Sequence, residues 1–131
     1  ISKGNITRGK IYELMPFENE LVILELNKND YKKLLNYIAF RGGEPFSGIK
    51  MTINKNGEVT SNSWPVQFKS GEIVKVLTSD YLANGGDNMN FFKNKHQNRV
   101  GIKLRDAIID YCTKQDTISI KIDDRIILDE K

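Results

Sequence analysis

The chain has 131 residues, 39% hydrophobic and 28% charged, with 20 basic and 17 acidic side chains and a net charge of +3. That is the length of one domain with a core of its own, and the charge is too mild to point to nucleic acid as a partner. A single cysteine, Cys112, excludes an internal disulfide, a single histidine, His96, excludes a His-rich metal site, and no apolar run approaches the roughly 20 residues of a membrane-spanning helix.

Thr7 is placed to cap a short helix over residues 8–15, with Ile11, Leu14 and Met15 on one side, and Pro16 stops it. Residues 20–26, ELVILEL, are an apolar run rich in strand formers and predict a buried strand. Asn29 or Asp30 opens a helix to Phe40, with Tyr31, Leu34, Leu35 and Ile38 at i, i+3, i+4 and i+7, and Gly42-Gly43 end it. Ile49, Met51 and Ile53 alternate with polar residues as a strand with one buried face. Asn56-Gly57 then signals a hairpin that returns residues 58–61 as the partner strand.

Residues 72–79, EIVKVLTS, predict a further strand that delivers the chain into YLANGGD. The polar stretch after it, including residues 93–99 (KNKHQNR), reads as a solvated loop, and His96 as exposed. A helix is expected from Val100 to Lys114, its apolar side made by Ile102, Leu104, Ala107, Ile108, Tyr111 and Cys112, the last a buried structural thiol. Ile118, Ile120 and Ile122 alternate as a strand, Asp123-Asp124 makes a turn, and residues 125–128 add a last strand. Interspersed helices and strands with at least one hairpin predict a mixed-sheet α/β (α+β) fold, one domain over residues 1–131, and not a purely parallel doubly wound sheet.

Motifs for chemistry are sparse. There is no P-loop, no G-x-G-x-x-G and no G-x-S-x-G, and one histidine in a polar loop supplies neither a triad nor a two-metal site. No catalytic residue and no metal ligand set is expected in this chain. Arg105-Asp106 reads as a surface or helix-packing ion pair, Ser47-Gly48 as strand-entry structure, and Trp64 as packing on a loop edge. Arg41 follows a helix end, where a cation suits the helix dipole.

Two segments stand out together: residues 9–17, GKIYELMPF, and residues 79–87, SDYLANGGD. Pro16 restricts the backbone, so the ring of Phe17 is aimed. Gly85 and Gly86 let the backbone approach a ligand, and Asp87 rides on a loop at a strand end. Two readings are open. In the first, Phe17 and Tyr81 pack in the core and Asn84-Gly85-Gly86-Asp87 is only a turn. In the second, two rings sandwich a flat base, each stack worth about 1–3 kcal/mol. Asp87 then accepts hydrogen bonds from a vicinal diol, as the acidic residue of dinucleotide-binding folds does.

The order ITRGKIYELMPFENELVILELNKNDYKKLL, FSGIKMTI, LTSDYLANGGD and LRDAIIDY resembles the C-terminal domain of the 5′-nucleotidase family over residues 6–111. GxIYELMPF and DYLANGGD are the most specific parts. The chain departs from the family pattern at Asn88-Met89, where the family continues with Gly and an aromatic.

The resemblance implies that Phe17 and Tyr81 clamp the base and that Asp87 binds ribose hydroxyls. Asn84, Gly85 and Gly86 complete the substrate-binding set. It also implies an N-terminal calcineurin-like metallophosphatase domain, in the same or a separate chain, holding two divalent metal ions and the catalytic residues. The chain opens on Ile rather than Met, so a trimmed or split protein is expected. The phosphate-facing Arg of the family's Asn-Gly-Gly-x-x-Arg segment would then lie upstream. The implied activity is release of phosphate from a nucleoside 5′-phosphate, in a periplasmic, secreted or cell-surface protein. The alternative is a non-catalytic ligand- or protein-binding domain with a degenerate nucleotide site.

Overall fold

The computed structural model describes residues 1–63 and 71–129; Trp64 lies outside the described residues. The elements run α1 (Arg8–Leu14), β1 (Glu20–Leu26), α2 (Lys28–Phe40), β2 (Met51–Asn54), β3 (Val59–Asn62), β4 (Val74–Ser79), α3 (Asp80–Ala83), β5 (Gln97–Lys103), α4 (Leu104–Thr113) and β6 (Ile126–Asp129). Two three-stranded sheets result, ordered β4-β1-β5 and β3-β2-β6. The first is antiparallel throughout. In the second, β2 and β3 form the hairpin and β6 lies parallel to β2. The fold is α/β with mixed pairing, as the interspersed pattern predicts.

The apolar run of β1 is explained by its central place, with β4 on one edge and β5 on the other. Val22, Leu24 and Leu26 point to one face and are buried with Ala83, Met89 and Phe92. Burying a side chain of this kind stabilises by about 1.5–3 kcal/mol. A second cluster joins Tyr31, Leu35, Ile38 and Ala39 of α2 to Met51 and Ile53 of β2 and to Val74. Leu34 and Tyr37 of α2 pack against both clusters, so this helix is the shared wall of the two sheets. Its start is fixed by Asn27, whose side chain accepts from the amides of Asn29 and Asp30.

Three expectations are corrected. Residues 118–122 form no strand, and Ile120 and Ile122 are 87% and 102% exposed. Alternation makes a strand only where a sheet edge accepts it, and the edge of β2 is taken by β6 instead. The last helix begins at Leu104 rather than Val100, because residues 97–103 pair with β1. The polar composition of this strand hid it, since most of its side chains face solvent. Cys112 is half-buried rather than buried.

Candidate functional site

At the end of β4 the chain does not simply turn. The Ser79 hydroxyl accepts the Leu82 amide at 3.2 Å and caps the single-turn helix α3. Ala83 is buried, and Tyr81 is left facing out, 50% exposed. Asp80 ties this turn to β1, since its Oδ1 accepts the amide of Glu20 at 3.2 Å and that of Tyr81 at 2.8 Å.

Each of the two glycines has a steric reason. Gly85 has φ +90°, and the side chain of Lys93 crosses the place where its Cβ would be. Gly86 lies against Cδ1, Cε1 and Cζ of the Tyr81 ring, so that any Cβ would overlap the ring. Asp87 follows at φ 51° and Asn88 at φ 65°, a left-handed pair without glycine. This geometry is held from three sides. The Tyr37 hydroxyl donates to the Asp87 carbonyl oxygen at 2.8 Å. The Tyr81 hydroxyl donates to Asp87 Oδ1 at 3.0 Å and lies 3.4 Å from the Asp87 amide, which donates to it. Met89 is buried among Val22, Leu24 and Phe92 and pins the far end of the loop. Asn84 is tied to β5, its Oδ1 accepting from Gln97 Nε2 at 2.9 Å.

Phe17 lies in the connection between α1 and β1 and is 68% exposed. The residues on either side of it are anchored by the start of α4. Arg105 donates to the Met15 carbonyl at 3.5 Å and pairs with the Glu18 carboxylate, which also receives Lys103. The Leu104 amide donates to the Asn19 carbonyl at 2.8 Å. The Arg105 guanidinium sits 4.0 Å over the centre of the Tyr12 ring and is only 6% exposed. Hydrogen bonds from Lys103 and then Arg105 hold the Glu18 carboxyl below its ordinary value.

Phe17 and Tyr81 therefore leave from neighbouring strand ends. Leu21 pairs with Ser79 across β1 and β4, and the Glu20 amide reaches Asp80. Both rings are open to solvent, and neither takes part in the ring contacts Tyr37–Phe91 and Phe91–Phe92. Core packing does not account for either of them. The structure brings Tyr81, Gly86 and Asp87 into direct contact, and Phe17 lies three residues before the start of β1, the strand end that faces Ser79 and Asp80.

Sequence reasoning missed Tyr37, Glu18 and Lys93. Arg105 was visible as an ion-pairing residue, but its partner is Glu18 rather than Asp106. An apolar cavity of about 770 Å³ opens between α2, β4 and residues 44–49, and Ser47 and Gly48 line it. Phe17, Tyr81 and Asp87 are not among its lining residues. Among the described residues no cluster of His, Cys, Asp and Glu is placed to hold a metal ion, and no helix is long and apolar enough to cross a membrane.

Comparison with known proteins fits this architecture. The family model of the 5′-nucleotidase C-terminal domain matches residues 1–94, and the chain belongs to that family. An apyrase of Tabanus yao is 26% identical over 149 residues, covering 96% of this chain and 27% of its own length. The trifunctional nucleotide phosphoesterase protein YfkN of Bacillus subtilis is 27% identical over 108 residues, 70% of this chain and 7% of its own. Among solved structures, the 5′-nucleotidase precursor of Thermus thermophilus superposes with a TM-score of 0.74 at 23% identity, over 98% of this chain and 29% of that one. The NAD nucleotidase of Haemophilus influenzae gives 0.75 at 19% identity, over 98% and 27%. The chain thus spans little more than a quarter of the apyrase and of either nucleotidase, and it corresponds to their C-terminal part.

Proposed function

We propose that this domain binds the nucleoside part of a nucleotide for a 5′-nucleotidase-type phosphohydrolase, with Phe17 and Tyr81 stacking on the base and Asp87 accepting from ribose hydroxyls. The observation that carries the reading is two solvent-open rings rooted at adjacent ends of β1 and β4, with a carboxylate fixed against one of them. Asn84, Gly85 and Gly86 shape the loop that presents the acid. Chemistry falls to a separate metallophosphatase domain. Its two divalent metals would activate water and the phosphoryl group, and nothing in the described part of this chain fits them. A secreted or periplasmic location goes with this reading, as the word precursor attaches to the Thermus relative.

Nucleoside titration followed by calorimetry or tyrosine fluorescence tests it. Phe17→Ala and Tyr81→Ala are each expected to weaken adenosine or uridine binding roughly 5- to 150-fold, the equivalent of about 1–3 kcal/mol per stacked ring. Unchanged affinity in both variants sinks the clamp.

A further inference from the structure

The Tyr81 hydroxyl has no part in stacking, yet it makes two contacts, both to Asp87. A phenylalanine would present the same face to a base without them. The Tyr37 hydroxyl, from a different element, reaches the same residue at its carbonyl. Asp87 needs such support, because its backbone and that of Asn88 both sit in the left-handed region, which L residues avoid. An exposed carboxylate on a loop otherwise samples several rotamers, and a ligand that uses it must freeze one.

We propose that the hydroxyls of Tyr81 and Tyr37 are positioning groups for Asp87. They fix its backbone and its Oδ1 before ligand arrives, so that Oδ2 is presented to a sugar hydroxyl of a nucleoside lying on the Tyr81 ring. This rests on the nucleoside reading above and extends it. The phenol–carboxylate bond is charge-assisted and therefore stronger than a neutral one. It engages one carboxylate oxygen, and Oδ2 carries no hydrogen bond among the described residues. Gly86 completes the device by letting the ring come close enough for the hydroxyl to reach the acid six residues on. The ring that reads the base and the acid that reads the sugar are thereby one unit. A shift of Tyr81 moves both.

The test compares adenosine with 2′,3′-dideoxyadenosine, which keeps the base and lacks both hydroxyls. Affinities are measured in the full-length polypeptide for the native protein and for Tyr81→Phe, Tyr37→Phe and Asp87→Ala. The native protein is expected to prefer adenosine, and Asp87→Ala to abolish the preference. Tyr81→Phe and Tyr37→Phe are each expected to reduce the adenosine-to-dideoxyadenosine ratio roughly three- to tenfold, the worth of one freed side chain. General destabilisation lowers both affinities together and leaves the ratio where it was. A native ratio in both phenylalanine variants overturns the positioning role while the nucleoside reading stands. Failure of the native protein to bind either ligand overturns the nucleoside reading and this inference with it.

Discussion

A methyl group added at Gly86 would overlap Cδ1, Cε1 and Cζ of Tyr81. In a closed core such an overlap costs about 1–3 kcal/mol, because neighbours have nowhere to go. Tyr81 is half exposed, so the ring can swing into solvent and relieve most of it. Gly86→Ala should therefore lower the melting temperature only slightly, yet weaken nucleoside binding at least as much as Tyr81→Phe. A thermal melt and a titration on the same sample separate the two effects. A large drop in melting temperature would mean that the ring is held rigidly by contacts beyond Gly86. The same residue shows why the site was half legible. From sequence the glycine pair reads as backbone open to a ligand, whereas the structure uses Gly86 for closeness to the Tyr81 ring, which no spacing rule reports.

At the scale of elements, the start of α4 sets the loop that carries Phe17. Arg105 and Lys103 converge on Glu18, whose carboxyl is held below its ordinary 4.5 by their hydrogen bonds and charge. A depressed folded value means that the pair stabilises the fold above pH 4.5 and loses that contribution as pH falls through the lower, folded value. Glu18→Gln should flatten this acid limb. Chemical denaturation at a series of pH values between about 3 and 7 reads it directly. An identical pH profile in the variant would show that ionisation of Glu18 contributes nothing to the stability of the fold. From sequence, Glu18 is one of several acids beside Asn19 and Glu20, and its partners lie 85 and 87 residues away. A pairing of that range leaves no local pattern. α1, α2 and the central strands were legible because their apolar periodicity is local. β5 was not, since it pairs through backbone groups and exposes its side chains, and residues 118–122 carry the alternation of a strand while the place beside β2 is taken by β6.

At the scale of the molecule, the proposed division of labour makes a negative prediction. On that proposal the 131 residues should release no phosphate from AMP at any concentration of added divalent metal, because the described residues offer no ligand cluster to hold it. Phosphate release that follows added metal and purifies with the chain would refute it. Covalent attachment to a metallophosphatase domain should instead raise hydrolysis in a way that depends on Phe17 and Asp87.

The central position of β1 has a consequence for how the chain comes off the ribosome. Its apolar run is complete by residue 26, yet its two neighbours are residues 74–79 and 97–103. Both edges of a sticky strand stay open while some 50 to 80 further residues are synthesised, a situation that favours association between nascent chains. The hydrophobic stripe of α2, made directly afterwards, carries Leu34 and Tyr37, which pack on the same cluster, and is a local partner able to cover it in the interval.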